Sequence, residues 1–139
     1  MVHAEEIVKI TQNLIDVINR GDYGSYEEIC DHEMSAIEPE SFGQIVIGYP
    51  FHKFYFDNAL NHSSINNTMV NPSVHILGED AACIAYVRLT QYLDKHNQTH
   101  THQSEETRVW QRKDDKWRCI HLHRSYIGNQ GSMTPFEGK

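Results

Sequence analysis

Arg88, Arg108 and Arg124 each interrupt a stretch otherwise rich in aliphatic and aromatic residues. In an extended chain, side chains alternate between two faces. Arg88 then shares a face with Ile84 and Tyr86, Arg108 with Trp110, and Arg124 with Ile120 and Leu122. Strands running up and down bring all three guanidiniums to the same end of that face. Parity at one turn decides the matter. A strict two-residue turn at Asp114-Asp115 pairs Arg108 with His121 and sends Arg124 to the opposite face. A three-residue turn or a bulge restores the common face.

Guanidiniums withdrawn from water need anions. Glu38, Glu40, Glu105 and Glu106 are the internal candidates. A carboxylate ligand or an acidic peptide is the external one, held by the bidentate geometry that a guanidinium offers. The two coexist if some arginines stay unpaired. His52 and Tyr55, three residues apart on a helical stretch, are placed to line the mouth of such a pocket.

Other constellations carry less. His100-Thr101-His102 and His121-Leu122-His123 each put two imidazoles on one face of a strand, a spacing that some zinc sites use. Ten histidines make such pairs common by chance, and no spacing fixes a third ligand. No metal and no cofactor are predicted. No Ser, His and Asp spacing suggests a nucleophilic triad, and no Gly-rich loop is present to cradle a phosphate.

The elements that must position these residues divide the chain in two. Ile7, Ile10, Leu14, Ile15, Val17 and Ile18 recur at helical spacing over residues 3–20, with polar residues opposite. Leu14 and Ile18, one turn apart on that stripe, are expected to plug the open side of a sheet. Gly21 fits the end of this helix. Asp22 is placed to cap a second one reaching residue 30, with Tyr23, Tyr26 and Ile29 on its apolar side. Residues 34–38 read as a short strand stopped by Pro39, and residues 45–47 as another ended by Gly48. Pro50 opens a third helix running to about residue 61. Four long β-type runs follow, at residues 68–77, 81–93, 98–112 and 116–126, separated by short breaks. Short breaks mean antiparallel hairpins. Helices first and a meander afterwards is the α+β pattern, with a curved antiparallel sheet wrapped around the long first helix. The domain is expected to occupy residues 1–127. Residues 128–139, rich in Gly, Ser and Asn, are expected to be a flexible tail.

Composition narrows the partners. A chain of 139 residues with 39% hydrophobic and 22% charged positions is one globular domain. A net charge of −7 disfavours nucleic acid. No apolar run approaches the roughly 20 residues that a membrane span needs, and the first twenty residues do not read as a signal peptide. Three cysteines without a CxxC pattern suit a reducing, cytoplasmic setting and read as small buried hydrophobes.

Several stretches taken together resemble the association domain, or hub, of calcium/calmodulin-dependent protein kinase type II. They are Ile29-Cys30-Asp31, Glu38-Pro39-Glu40, residues 51–56 (FHKFYF), 80–92 (DAACIAYVRLTQY) and 103–110 (QSEETRVW), and His123-Arg124-Ser125. The resemblance spans about residues 5–125. It implies an α+β fold of the nuclear-transport-factor-2-like type, a cone closed around the first helix. It implies a non-catalytic oligomerisation hub that gathers kinase subunits into two stacked rings of six or seven copies. Arginines matching Arg88, Arg108 and Arg124 line the family's central cavity, which favours the common face. The implied ligand of that cavity is a small carboxylate or the kinase's own regulatory segment. The chain carries no kinase motif and no basic calmodulin-binding helix. In such an assembly, titration of His121 and His123 near neutrality would make association pH-sensitive. The same fold also hosts isomerases and dehydratases, and Glu38, His52 or Tyr86 could be cast as a base. Three neighbouring arginines would depress a carboxylate's pKa and weaken it in that role, so a small-molecule enzyme is the alternative rather than the first reading.

Overall fold

Gly21 ends the first helix. At φ 72° it sits in the left-handed region, and its N–H and that of Asp22 return to the carbonyls of Ile18 and Val17, closing a Schellman turn. Helix α1 (Ala4–Asn19) buries Ile7, Thr11, Leu14, Ile15 and Val17. The Asp22 carboxylate then accepts from the Ser25 N–H and caps helix α2 (Tyr23–Ile29), which buries Tyr26. The computed structural model describes residues 1–58 and 65–126.

Strand β1 (Cys30–Ile37) follows, then a 3₁₀ turn at Pro39–Ser41, strand β2 (Ile45–Ile47) and helix α3 (Pro50–Asn58). Strands β3 (Ile65–Ile76), β4 (Ala81–Leu93), β5 (Thr99–Lys113) and β6 (Lys116–Tyr126) form the meander. All six strands make one sheet in the order β2-β1-β6-β5-β4-β3. The hairpin neighbours are antiparallel, as the short breaks imply, while β1 lies parallel to β6.

Two boundaries depart from the sequence reading. Strand β1 starts at Cys30 rather than residue 34, because Cys30 pairs with Cys119 of β6 before the register shifts towards Ser35. The polar Asp31-His32-Glu33 stretch hides that extension. Strand β3 starts at Ile65 and pairs there with Tyr92. The expected end of α3 near residue 61 and the expected tail at 128–139 lie outside the described residues.

The parity question is resolved by a bulge. Asp114 and Asp115 both take positive φ, 51° and 62°, and Lys113 pairs with Lys116 across a two-residue turn. The ladder then slips. Trp110 pairs with Cys119 but Val109 pairs with His121, leaving Ile120 as the extra residue. Beyond it, Arg108 faces Leu122 and Glu106 faces Arg124, so the third arginine returns to the inner face. Ile120, expected beside Arg124, is the bulge itself.

The core lies between α1 and the inner face of the sheet. Leu14, Ile15, Val17, Met34, Ile84, Trp110 and Cys119 are buried there. The Trp110 indole N–H donates to Thr11 Oγ1 at 3.0 Å, and that hydroxyl donates to the Ile7 carbonyl. A polar group inside the core is thereby satisfied. Ile18 packs at the edge of this cluster.

Candidate functional site

Past Ile84 and Trp110, the same sheet face turns from apolar to ionic. Alternation places Tyr86 and Arg88 on β4, Glu106 and Arg108 on β5, and Arg124 on β6 side by side. The opposite wall comes from shorter elements. The 3₁₀ turn, with Phe42 in left-handed conformation behind it, brings Glu38 and Glu40 over the sheet. Helix α3, opened by Pro50, contributes His52, Tyr55 and Phe56. Arg88, Arg108, Arg124, Glu38, Glu40, His52, Tyr55 and Phe56, together with Ile18, Tyr26 and Leu122, enclose a cavity of about 80 Å³. That is room for several waters or one small carboxylate.

The charges inside are closely matched. Arg88 Nη1 lies 2.9 Å from Glu106 Oε2, an ion pair whose approach is off the hydrogen-bonding direction. Arg108 Nη2 lies 3.7 Å from the other Glu106 oxygen. The Tyr86 hydroxyl donates to Glu106, and Arg108 Nε donates to the Tyr86 oxygen at 3.1 Å. Arg124 pairs with Glu40 and lies 3.7 Å from Glu38. His52 Nε2 meets Glu38 Oε1 at 2.6 Å. Arg108 and Glu106 are each only 2% exposed, so little water screens these pairs.

Electrostatics follow this arrangement. Burial alone would raise Glu38, but the His52 hydrogen bond and Arg124 hold it at about 2. Burial works against Glu106 too, and Arg88 and Arg108 bring it below its ordinary value. Burial would lower Arg124, yet Glu40 and Glu38 raise it. Tyr86 is raised by burial and by the Glu106 charge. The arginines thus favour the ionised form of Glu38 and Glu106, and the glutamates favour the charged form of Arg124.

The pairing is incomplete. Arg88 Nε, Arg124 Nε and His52 Nδ1 are buried without a hydrogen-bond partner. A buried donor left so costs roughly 1–3 kcal/mol. The two guanidinium N–H groups are donors left without an acceptor.

The five residues singled out from sequence, His52, Tyr55, Arg88, Arg108 and Arg124, all line this one cavity. Of the acidic partners weighed, Glu38 and Glu40 line it, while Glu106 is buried against Arg88 and Arg108. Glu105 is not: one position from Glu106, it faces outward and is exposed, near the Ser125 hydroxyl. Tyr26, Phe56 and Leu122 were not anticipated as lining, since their apolar spacing reads simply as core.

The histidine pairs are engaged elsewhere. His100 meets Asp94 at 2.8 Å and stacks on Tyr92, whose hydroxyl is 3.0 Å from His102 Nε2. His121 Nδ1 contacts Ser35 Oγ at 2.7 Å, and burial together with His123 pushes its pKa down. Among the described residues, no group of three or more His, Cys, Asp or Glu is arranged to hold a metal.

Comparison with known proteins agrees with this geometry. The family model described as calcium/calmodulin dependent protein kinase II association domain matches residues 3–128. The type II alpha chain of this kinase from Drosophila melanogaster is 56% identical over 135 residues, covering 96% of this chain. The match takes in 26% of that relative, so the chain spans about a quarter of the longer protein's length. The solved association domain of the C. elegans kinase superposes with a TM-score of 0.82 at 48% identity, covering 87% of this chain and 93% of that one. An NTF2-like protein with a cystatin-like fold from Novosphingobium aromaticivorans matches at a TM-score of 0.73 and 14% identity, over 92% of this chain and 82% of that one, which speaks for the fold alone.

Proposed function

The chain belongs to the calcium/calmodulin-dependent protein kinase II association-domain family, a non-catalytic region separate from the kinase domain, and from that premise we propose that it is an oligomerisation hub. Residues 1–127 are the assembling unit. Copies close into two stacked rings of six or seven subunits, which hold tethered kinase domains close enough to phosphorylate one another in trans. Tethering raises the effective concentration of neighbours far above that of free monomers. The setting is the cytoplasm; among the described residues no helix is long and apolar enough to cross a membrane.

The observation that carries this reading is the outer face of the sheet. Cys83, Ala85, Val87 and Leu89 of β4 alternate outward and are only half-buried. Val109 of β5 lies beside Cys83, and Val70 of β3 beside Val87, on the same side. An apolar face of this kind fits a surface covered by neighbouring copies. Native mass spectrometry of the purified chain tests it. A discrete closed multimer is expected, and a lone subunit at micromolar concentration would contradict the hub.

The cavity is the second part of the proposal. His52, Tyr55, Arg88, Arg108 and Arg124 form a pocket for a small carboxylate or for the acidic part of the kinase's regulatory segment. The unpartnered guanidinium nitrogens support this. The rival reading, an isomerase or dehydratase, finds little help here. Glu38 is held at about 2 and Glu106 is locked between arginines, so neither suits a general base near neutral pH.

A further inference from the structure

Two thiols meet behind the cavity wall. Cys30, the first residue of β1, and Cys119 of β6 are register partners across the parallel seam. Both side chains are fully buried in the same core cluster and are free thiols, and each is within hydrogen-bonding reach of the other. Neighbouring strands lie about 4.8 Å apart, inside the roughly 4.4–6.8 Å that a disulfide needs between Cα atoms. The third member is Arg108, whose Nη1 points at Cys119 Sγ from 3.5 Å. The same guanidinium lines the cavity, so it separates that space from the sulfur by one side chain.

We propose that Cys30 and Cys119 are a redox site, which closes a disulfide across the β1–β6 seam when a peroxide reaches Cys119 by way of the arginine cavity. The two cysteines have distinct parts. Burial works to raise the Cys119 thiol, but the hydrogen bond with Cys30 and the Arg108 charge overcome it and bring it to about 6. The Arg108 guanidinium beside it thus favours the thiolate of Cys119, the nucleophilic form. Cys30, pushed up by burial and by the Cys119 sulfur, keeps its proton.

The chemistry balances in two steps. A Cys119 sulfur lone pair attacks one peroxide oxygen, the O–O bond breaks, and the leaving hydroxide takes up a proton to become water. Cys119 is then a sulfenic acid. Cys30 attacks that sulfur, the S–S bond forms, and the S–O bond breaks. The departing hydroxide takes the Cys30 proton and leaves as a second water. Two thiols lose two electrons, and one peroxide becomes two waters. A thiol reductant reverses the bond. Closure also removes the anion beside Arg108 and ties the chain into a loop reaching from β1 to β6.

The third cysteine is the internal control. Cys83 lies on the outer sheet face, half-buried, with Val109 rather than a cysteine opposite it. The test treats the native full chain with hydrogen peroxide, blocks remaining thiols, and maps the peptides. The expected result is loss of two of the three thiols, with a cross-linked peptide joining residues 30 and 119 within one subunit. The denaturant midpoint should rise and should return after reduction. Cys83→Ser should keep the cross-link, and Cys119→Ser should abolish it. Wild-type mapping needs no variant to fold. If Cys30 and Cys119 both stay reduced while Cys83 oxidises, or if the cross-link forms only in denaturant, the proposal is wrong. Peroxidation of Cys119 to the sulfinic acid without a cross-link also overturns it.

Discussion

The two faces of strands β4 to β6 reverse the ordinary distribution of charge. The inner face carries Arg88, Glu106, Arg108 and Arg124, buried and paired. The outer face presents Cys83, Ala85, Val87, Leu89 and Val109, only half covered. In a lone globular domain, charges face water and apolar side chains face the core. Here the inside needs anions to be stable, and the outside needs apolar cover. The contrast teaches that the two faces of one sheet make opposite demands: an ionic cavity within and an apolar surface without.

The strongest way to break this comparison is to change two adjacent glutamates. Glu106→Gln removes the only carboxylate between Arg88 and Arg108 among the described residues. Stranding buried guanidiniums is expected to cost about 3–5 kcal/mol, read from urea unfolding. Glu105→Gln, one residue away on the outer face, is expected to change stability by less than about 0.5 kcal/mol. Equal effects would show that the inner network is not a stability element.

Leu14→Ala probes the apolar part of the inner side. Leu14 is fully buried, and its truncation is expected to lower stability by about 2–5 kcal/mol. An unchanged denaturation midpoint would contradict the placement of α1 inside the sheet.

Acid should unravel the ionic end before the apolar one. The folded pKa of Glu38, about 2, is depressed from an ordinary 4.5. A depressed carboxylate contributes stability that is complete above the unfolded value and is lost as pH falls through the folded one. Stability should therefore decline between about pH 4.5 and 2, and Glu38→Gln should flatten that slope. A wild-type profile with no slope in this window would contradict the ion pairs at Glu38.

The smallest change sharpens the cavity alone. Arg124→Lys keeps the charge but loses the fork. Carboxylate binding measured by titration calorimetry should weaken roughly tenfold, about 1.4 kcal/mol. Undiminished binding would show that the pocket attracts anions by bulk charge only.

How far the sequence reveals this contrast depends on the range of each interaction. Alternation along β4 and β5 is local, so Arg88 and Arg108 could be assigned to one face with Tyr86 and Trp110. The position of Arg124 could not be settled, because Ile120 looks like any other β-branched strand residue and nothing local marks it as a bulge. The parallel β1–β6 seam joins residues far apart in sequence, so neither the early start of β1 at Cys30 nor the thiol pair could be seen. The same holds for His52 against Glu38: each could be nominated for the pocket, but the contact depends on how the 3₁₀ turn and α3 fold back over the sheet. Legibility was highest where period-two alternation met short turns, and lowest where distant segments docked.

The central claim is that the outer face is apolar because copies of the chain cover it. Sedimentation velocity of the wild-type chain beside Val87→Glu tests it most directly. Val87 points outward and does not touch the ionic cavity. The wild type should sediment at micromolar concentration as one large discrete species. Val87→Glu should shift it towards the single subunit while leaving the fold and carboxylate binding intact. A wild-type chain that sediments as a monomer at that concentration contradicts the account.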